Sequence, residues 1–407
     1  MAGAETYVIV GANLAGGRAA EALRARGFAG RIVLVGEEPD RPYERPPLSK
    51  GYLQGAYPEE KLFLRPQSYY DEYAIELRLG VRATGLEPAE RSVALASGER
   101  LRYDKLLIAT GTQARRLDVP GGDLEGVYAL RTLRDARRLA AALQQAQRVV
   151  VVGAGFIGLE VAASARVRGC AVTVLEAAAV PLAHAVGAEL GQVCAAIHRD
   201  HGVDLRVSCA VQGFRGSERV EQVVLADSTA IACDIVVVGV GVTPAVAWLA
   251  GSGIALENGV LVNEYTETSL PDVYAAGDVA NWWHPRWGQR LRVEHYDNAQ
   301  HQGLAAARTM LGEREPYAPV PYFWSDQYDL TLQYVGYAPG SDRMVVRGSV
   351  AARSFTAFSL RGDRVRAAFS LGRPRELMAA RQLIRAQKPV DAAVLADEGV
   401  ELRTLAR

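Results

Sequence analysis

Two short stretches of this chain combine glycines in a pattern that suits phosphate binding. Residues 7–16 read YVIVGANLAG, and residues 153–160 read GAGFIGLE directly behind the apolar run RVVVV. A glycine turn between a strand and a helix lets the backbone approach a pyrophosphate, which the open N–H groups of the helix N-terminus then bind. The turn glycines are Gly11 and Gly16 in the first copy and Gly153, Gly155 and Gly158 in the second.

The sequence around each turn supplies the elements that must position it. An apolar strand precedes the turn, a helical pattern follows, and a second strand ends in an acid, Glu37 or Glu176, about 20 residues beyond the last glycine. Such an acid accepts hydrogen bonds from ribose hydroxyls. In the first copy Asn13 replaces the middle glycine, and Asn tolerates left-handed backbone better than most residues. Two complete copies predict binding of two dinucleotides.

Composition sets further bounds on the class of protein. The 407 residues, 49% hydrophobic and 23% charged, predict two or three packed domains. Equal numbers of basic and acidic residues, 46 of each, argue against a global pull onto nucleic acid or an anionic membrane. The chain start lacks the pattern of a signal peptide, and glycines and a proline interrupt the apolar run at 235–250, which is too short for a membrane span. We therefore expect a soluble cytoplasmic protein.

Cysteine and histidine spacing gives no sign of a metal or disulfide site. The chain contains four cysteines, Cys170, Cys194, Cys209 and Cys233. They form no C-x-x-C motif and no metal-ligand spacing, so we predict no redox-active pair and no structural metal. His198 and His201 lie in what reads as a helix end, where a solvated helix terminus is favoured over a metal site.

Five further stretches carry a family resemblance. DKLLIATG at 104–111 and TSLPDVYAAGD at 268–278 resemble the flavin-side motifs of two-dinucleotide-binding flavoproteins of glutathione reductase fold. The alternative reading of the second stretch is one more buried strand and turn. RPYERPPLSK at 41–50, RVEHYDNAQHQG at 292–303 and PYFWSDQYDL at 321–330 resemble the NADH-dependent ferredoxin reductases of the putidaredoxin reductase and biphenyl dioxygenase reductase type. Residues 41–60 lack the cysteine pair of the disulfide reductases, so we expect no thiol relay.

The resemblance implies an α/β architecture of two Rossmann-like dinucleotide-binding domains and a C-terminal α+β domain with an antiparallel sheet. The implied FAD domain covers residues 1–112 and 245–320, the NAD domain residues 113–244, and the C-terminal domain residues 321–407. Period-2 apolar patterning in MVVRGSV, RSFTAFSL and RVRAAFS independently indicates antiparallel strands after residue 321.

The resemblance also assigns candidate contacts for each cofactor. For FAD they are Gly11, Ala15, Gly16, Glu37, Arg45, Lys50, Ala83, Thr110, Gly111, Arg131, Gly277, Asp278, Tyr296 and Trp324. For NAD they are Gly153, Gly155, Ile157, Gly158, Glu160, Glu176 and Gly241. Three alanines and no basic residue follow Glu176, so NADH is predicted over NADPH. Some relatives carry an arginine where His184 stands.

Lys50 and Glu160 are the candidate catalytic residues. The resemblance implies that Lys50 lies beside the flavin's reactive nitrogen, where a fixed cation favours the electron-rich reduced ring. Glu160, assigned to the first turn of the second helix, either stabilises that helix through its dipole or faces the nicotinamide and pairs with Lys50 when the coenzyme is absent. We favour the second interpretation. Trp324 either lies near the isoalloxazine or is an interdomain core residue.

Electron counting leads to the predicted function. NADH gives up two electrons as hydride, an iron-sulfur protein accepts one at a time, and a flavin can do both. We predict an NADH:ferredoxin reductase whose partner is a [2Fe-2S] ferredoxin that serves a monooxygenase or a ring-hydroxylating dioxygenase. Rubredoxin or quinone reduction and a non-enzymatic flavoprotein like apoptosis-inducing factor are the alternatives. Basic residues after 321 and in the loop from Arg41 to Arg65 either attract an acidic ferredoxin or are ordinary solvated charges.

Overall fold

A computed structural model describes residues 5–406 of the chain. In chain order its strands are β1 (Thr6–Val10), β2 (Arg31–Val35), β3 (Ile75–Arg78), β4 (Ala83–Glu87), β5 (Ser92–Leu95), β6 (Arg100–Arg102), β7 (Lys105–Ile108), β8 (Thr112–Ala114), β9 (Val127–Ala129), β10 (Arg148–Val152), β11 (Ala171–Leu175), β12 (Asp204–Arg206), β13 (Val211–Arg215), β14 (Gln222–Leu225), β15 (Ala230–Ala232), β16 (Ile235–Val238), β17 (Val242–Pro244), β18 (Val260–Val262), β19 (Val273–Ala275), β20 (Ala280–His284), β21 (Gln289–Leu291), β22 (Tyr322–Gln327), β23 (Leu330–Gly336), β24 (Arg343–Ser349), β25 (Ser354–Arg361) and β26 (Arg364–Leu371).

The α-helices before residue 201 lie between successive strands of the two parallel sheets. They are α1 (Leu14–Ala25), α2 (Gly51–Gln54), α3 (Gln67–Glu72), α4 (Leu133–Leu143), α5 (Phe156–Val167), α6 (Ala183–Val186), α7 (Ala188–Asp200), α8 (Tyr296–Met310), α9 (Pro374–Ala386) and α10 (Ala392–Ala396). Short 3₁₀ helices cover Pro46–Ser49, Glu59–Leu62, Pro88–Glu90, Ala247–Leu249 and Leu402–Ala406. No helix formed by residues 5–406 combines the length and the apolar composition needed to cross a membrane.

The first compact unit comprises residues 5–46, 58–113 and 242–319. Its parallel sheet has the strand order β19-β7-β1-β2-β3. These strands are near-continuous apolar runs because helices cover both faces of such a sheet, and Ile9, Leu34 and Leu107 are fully buried in its core. Helix α1 begins at Leu14, directly after the glycine turn has started at Gly11, and packs on α8. Two three-stranded sheets complete the unit: β4-β5-β6 and β18-β20-β21.

The second compact unit comprises residues 47–57, 114–241 and 320–406. Its parallel sheet has the order β12-β11-β10-β16-β9, and an antiparallel sheet β13-β14-β15 adjoins it. The C-terminal strands form an antiparallel sheet of order β22-β23-β26-β25-β24, on which α9 packs. Val151, Leu159, Leu332 and Phe369 belong to one hydrophobic cluster, so the parallel and C-terminal sheets share a core.

The predicted fold class is confirmed by this architecture of two parallel sheets and one antiparallel C-terminal sheet. The short segment 47–57 carries α2 and belongs to the second unit, where Leu53 is fully buried in the shared core. Lys50 directly precedes α2 in the same segment. The buried Leu53 therefore fixes the backbone that carries this candidate catalytic side chain. Residues 1–4 and Arg407, which fall within the predicted domain boundaries, lie outside the described part of the chain.

Candidate active site

The first glycine turn has the geometry that close backbone approach requires. Gly11 has φ +123°, and a side chain there would place its Cβ 2.1 Å from the carbonyl oxygen of Ala109. A Cβ on Gly16 would lie 2.0 Å from the carbonyl oxygen of Gly11, so the helix touches the turn only because both residues are glycine. The turn therefore explains why the motif needs glycine at these two positions.

Asn13 stabilises this turn through its side chain, not through the left-handed backbone that the sequence indicated. Its φ of −125° is extended rather than left-handed, and no side-chain hydrogen bond caps α1. Instead its Nδ2 donates to the carbonyl oxygen of Ala109 at 2.8 Å, which ties the turn to the end of β7. The first-turn N–H groups of α1 are left without a side-chain acceptor, an arrangement that fits the pyrophosphate of a dinucleotide.

The flavin-side motifs meet at the ends of neighbouring strands of the first unit. Thr110 and Gly111 follow β7, and Gly277 and Asp278 follow β19, which pairs with β7. The Gly277 N–H donates to Oε1 of buried Gln302 at 2.9 Å, and Thr112 donates to Asp278 at 3.3 Å. Gln302 was not among the predicted site residues, although it lies inside the stretch RVEHYDNAQHQG on which the resemblance rested.

Arg45 lies in a polar cluster on the same unit. Its guanidinium donates to Glu38 at 2.5 Å and to the Tyr43 hydroxyl at 2.7 Å, and Tyr43 donates to Glu38 at 2.6 Å. Burial lowers the pKa of Arg45, but the neighbouring Tyr43 and Glu38 outweigh that effect and raise its pKa overall. Arg45 therefore stays cationic, as an anionic ligand requires.

The remaining candidate flavin contacts of the first unit differ in exposure. Glu37 is exposed just after β2, Ala15 is buried in α1, and Ala83 is buried at the start of β4. Tyr296 begins α8 and donates its hydroxyl to Glu44 at 2.6 Å. Burial, followed by this hydrogen bond, raises the pKa of Tyr296 to about 12, so the phenol stays protonated.

The second glycine turn repeats the geometry of the first. Gly153 has φ +100°, and a Cβ there would lie 2.4 Å from the Gly239 carbonyl oxygen; a Cβ on Gly158 would lie 2.1 Å from that of Gly153. Gly155 is the N-cap of α5, without a side-chain cap, and a Cβ on it would meet no described atom within 4 Å. Ile157 is 48% exposed on the first turn of α5. This combination fits a second dinucleotide.

Glu176 has backbone partners that the sequence pattern did not indicate. Its Oε2 accepts the N–H of Ala154 at 2.7 Å, and its Oε1 accepts the N–H of Ala178 at 2.8 Å. An ionised carboxylate has about four lone-pair sites, so the ribose hydroxyls still find acceptors there. Glu176 thus also holds the second turn in shape. Gly241 lies two residues after Gly239, and His184 is exposed in α6.

Glu160 and Lys50 form an ion pair within the second unit, as predicted. Lys50 Nζ lies 2.9 Å from Glu160 Oε1, and the two side chains are 14% and 3% exposed. Glu160 is the fifth residue of α5, not part of its first turn, so the helix-dipole interpretation was wrong. The same carboxylate accepts the Ser325 hydroxyl at 2.6 Å and the Ser49 hydroxyl. A buried charge with three donors is a satisfied group rather than a strained one.

Ser49 and Ser325 are polar partners that the sequence reasoning missed. Ser49 precedes Lys50 in RPYERPPLSK, and Ser325 follows Trp324 in PYFWSDQYDL. The signal for Ser325 was present, because side chains alternate along a strand and Ser325 and Gln327 share the buried face of β22. What the pattern could not supply was the partner, which lies far away in sequence.

The other candidate flavin contacts of the second unit are Arg131 and Trp324. Arg131 immediately precedes Thr132, the N-cap of α4, and its backbone N–H donates to Asp135 at 3.2 Å. Trp324 is partly buried on β22, stacks on Tyr322 with ring centroids 6.0 Å apart, and donates its indole N–H to Asp326 at 3.2 Å. Local partners therefore hold the Trp324 side chain.

His198 contradicts the expectation of a solvated helix end. Its ring is fully buried on α7, with Nε2 2.8 Å from Gln327 Oε1 and Nδ1 3.0 Å from the Tyr328 hydroxyl. Burial lowers the pKa of His198 to about 4, so the ring is neutral. His201 is half-buried and stacks on Tyr328 at 3.6 Å. Among residues 5–406 no group of three or more His, Cys, Asp or Glu side chains is placed to hold a metal ion.

Three of the four cysteines lie in surroundings that disfavour the reactive thiolate. All four are free thiols, and Cys170, Cys194 and Cys233 are buried. Burial raises the pKa of Cys194 to about 12 and that of Cys233 to about 11, which suppresses the thiolate. The absence of a thiol relay stays a prediction.

Comparison with known proteins places this geometry in a family. Residues 5–303 match the family model described as pyridine nucleotide-disulphide oxidoreductase, and residues 322–406 match the model described as reductase C-terminal. The 5,5'-dehydrodivanillate O-demethylase ferredoxin reductase subunit of a Sphingobium strain is 43% identical, covering 98% of this chain and 97% of that one. Rhodocoxin reductase of Rhodococcus erythropolis is 39% identical, covering 98% and 93%.

The solved structures agree. The covalent putidaredoxin reductase-putidaredoxin complex superposes with a TM-score of 0.96 at 37% identity, covering 99% of this chain and 98% of that one. The uncapped helix N-termini, the paired glycine turns and the trailing acids described above are what FAD and a nicotinamide dinucleotide require. The chain belongs to the pyridine nucleotide-disulphide oxidoreductase family, in the branch that carries a reductase C-terminal domain and binds FAD and NAD(P)H.

Proposed function

We propose that this chain is an FAD-dependent NADH:ferredoxin oxidoreductase that supplies a [2Fe-2S] ferredoxin serving a monooxygenase or a ring-hydroxylating dioxygenase. Relatives that span nearly its whole length are named as ferredoxin reductases or as the reductase of such a system. In each turnover one NADH becomes NAD⁺ and releases one proton, and two ferredoxins each gain one electron. The chemistry that bound FAD supplies is acceptance of an electron pair and release of single electrons.

The proposed flavin site draws on the first glycine turn and the motifs that follow β7 and β19. There the uncapped N-terminus of α1 would bind pyrophosphate, Glu37 the adenosine ribose, and Asp278 the ribityl region. Arg45, which pairs with Glu38, would supply a fixed positive charge. The remaining proposed contacts are Ala15, Lys50, Ala83, Thr110, Gly111, Arg131, Gly277, Tyr296 and Trp324.

The proposed nicotinamide site draws on the second glycine turn. Gly153, Gly155 and Gly158 open the N-terminus of α5 to pyrophosphate, and exposed Ile157 gives the coenzyme an apolar contact. Glu176 would accept the ribose hydroxyls and disfavour a 2'-phosphate, because the three residues after it are alanines. The coenzyme is therefore proposed to be NADH, with Gly241 as a further contact.

The observation that carries the proposal is the buried pair of Lys50 and Glu160. Lys50 Nζ lies 2.9 Å from a carboxylate that is almost completely buried. Buried ion pairs often contribute little net stability, so stability alone does not account for this one. We assign Lys50 to stabilising negative charge on the reduced flavin and Glu160 to orienting the nicotinamide.

The domain boundaries and the location of the protein belong to the same proposal. We take residues 1–112 and 245–320 as the FAD domain, 113–244 as the NAD domain and 321–407 as the C-terminal domain, in broad agreement with the two family matches. The cytoplasm is the proposed location, because it holds the nicotinamide pool and keeps thiols such as the four here reduced.

The test is to load the purified protein with FAD and measure anaerobic NADH oxidation with purified [2Fe-2S] ferredoxins, rubredoxins and a quinone as acceptors. We expect the highest kcat/KM with a [2Fe-2S] ferredoxin of an oxygenase system. Faster turnover with rubredoxin or quinone would replace the proposed acceptor. Slow NADH oxidation with every acceptor would refute the enzyme function itself.

A further inference from the structure

A continuous chain of hydrogen bonds runs from Glu160 into the C-terminal sheet and on to α7. The Ser325 hydroxyl donates to Glu160 Oε1 at 2.6 Å, and Gln327 Nε2 lies 3.0 Å from the Ser325 oxygen. Gln327 Oε1 lies 2.8 Å from His198 Nε2, and His198 Nδ1 lies 3.0 Å from the Tyr328 hydroxyl. All of these contacts lie within the second compact unit.

The direction of every bond in this chain follows from the carboxylate. An ionised carboxylate only accepts, so the Ser325 hydroxyl must donate to it, and its oxygen must then accept from the Gln327 amide nitrogen. The Gln327 carbonyl is left to face His198, whose Nε2 therefore carries the proton, and whose Nδ1 accepts from Tyr328. Every dipole in the chain points its positive end toward Glu160.

The chain is well protected from water. Ser325 and His198 are fully buried, Gln327 is 1% exposed, and Glu160 is 3% exposed. Burial lowers the pKa of His198 to about 4, so its ring stays neutral through the working range. Such a network is strong when every member has its partner, because the surroundings are of low dielectric constant.

Other ionisable groups lie on the elements that pack against α5. The packed elements are α2, β10, β11 and β22. Arg148 of β10 pairs with Asp234, and Tyr52 of α2 is partly exposed. On β22, Asp326 accepts from Trp324 and Thr331, and the Tyr322 hydroxyl accepts from Gln333.

We propose that Ser325 and Gln327 of the C-terminal domain, together with His198 of α7, are positioning residues for hydride transfer, which hold the Glu160 carboxylate in a fixed orientation. This inference rests on the proposed role of Glu160 toward the nicotinamide. Lys50 and Ser49 approach the carboxylate from the segment before α2, so the C-terminal domain supplies the third donor. Electron transfer then depends on a domain that holds neither glycine turn.

The experiment compares FAD-loaded Ser325→Ala, Gln327→Met and Thr356→Val with the unmodified protein. Thr356 is the matched control, because its hydroxyl is fully buried in the same sheet and contacts Ser370 rather than the chain. Difference infrared spectroscopy would record the carboxylate stretch of Glu160, with Glu160→Gln assigning the band. Stopped-flow reduction of the flavin by NADH would be measured on the same proteins.

A hydrogen bond to an ionised group is stronger than one between neutral groups, so loss of a donor changes the carboxylate itself. We expect the Glu160 carboxylate band to move in Ser325→Ala, to move in the same direction by less in Gln327→Met, and to stay in place in Thr356→Val. Flavin reduction by NADH should slow about tenfold in Ser325→Ala, the equivalent of one hydrogen bond to a charge, and by less in Gln327→Met.

An unchanged Glu160 carboxylate band in both chain variants would overturn the proposal, as would an unmodified rate of flavin reduction in both. If Ser325→Ala does not fold, Gln327→Met decides alone. Failure of the proposed function gives a different result: NADH would then reduce the flavin of the unmodified protein only slowly. An unmodified rate in Glu160→Gln would refute only the role proposed for Glu160.

Discussion

The ion pair of Lys50 and Glu160 allows a quantitative prediction. Lys50→Met removes the charge but keeps an unbranched side chain in the 14% exposed site, so packing changes little. The Glu160 carboxylate then loses a donor at 2.9 Å and remains buried. Removing one partner of a buried pair costs about 3–5 kcal/mol. Because Ser49 and Ser325 still donate to the carboxylate, we expect the lower end, about 3 kcal/mol of unfolding free energy.

A double-mutant cycle separates this electrostatic cost from other effects. Glu160→Gln in the Lys50→Met background removes the uncompensated charge, so the double variant should recover about 2 kcal/mol relative to the sum of the single variants. Arg26→Ala is the control for an ordinary ion pair: Arg26 and Glu313 are 40% and 50% exposed, and its loss should cost less than about 1 kcal/mol.

The assay is urea unfolding followed by circular dichroism at one fixed excess of FAD, because bound cofactor adds to apparent stability. Lys50→Met should retain FAD, since the proposed pyrophosphate site is the glycine turn at Gly11 and does not include Lys50. Its flavin should be reduced more slowly by NADH in stopped-flow. Additive stability changes in the cycle would refute the electrostatic reasoning. An unchanged rate of flavin reduction would refute the role proposed for Lys50.

Four further predictions follow from other parts of the molecule. Glu176→Arg should reduce the ratio of kcat/KM with NADH to kcat/KM with NADPH. It should also lower turnover with both coenzymes, because the carboxylate accepts the N–H groups of Ala154 and Ala178. Equal kcat/KM with NADH and NADPH in the unmodified protein would contradict the predicted coenzyme preference. Replacement of all four cysteines by alanine should preserve turnover in the folded, FAD-loaded protein; alanine is chosen because serine would bury unpaired hydroxyl groups at the buried positions. Loss of turnover in this variant would indicate a thiol relay. The pKa of His198 is about 4 in the folded protein and near 6.5 in the unfolded chain, so its contribution to stability is complete above pH 6.5 and is lost as pH falls toward 4. The loss of unfolding free energy should reach about 2 kcal/mol at pH 5. Urea unfolding of His198→Gln should therefore depend less on pH. Ferredoxin-dependent turnover at subsaturating ferredoxin should fall as salt shortens the Debye length from about 10 Å at 0.1 M to about 3 Å at 1 M, whereas dye reduction should barely change; parallel curves would mean that basic residues do not guide the partner.

The structure limits how many basic residues of the C-terminal region can attract a ferredoxin. Several basic residues of the C-terminal region have acidic partners: Arg347 and Arg373 pair with Glu376, and Arg353 pairs with Asp200. Arg347 is also 5% exposed, and Arg407 lies outside the described residues. The attraction for a ferredoxin must therefore come from fewer residues than the basic composition of this region indicates.

The sequence by itself determined the two dinucleotide turns and the fold class. Each turn joins a strand to the helix that follows it, and Gly11 with Gly16, or Gly153 with Gly158, meet through contacts between near neighbours in the chain. Local geometry of this kind leaves a regular spacing of residue types, which is why the strands, the turns and the trailing acids Glu37 and Glu176 could be located without a structure.

Only the tertiary structure decided how the polar groups pair. Ser325 and Gln327 alternate on a strand like any buried positions, and nothing in their spacing names Glu160 or His198 as partners. The predicted solvated end of α7 was wrong for His198 because the C-terminal domain covers that helix and supplies Gln327 and Tyr328. A hydrogen bond between residues far apart in sequence imposes no periodicity on either, so the environment of the candidate catalytic carboxylate is set by packing.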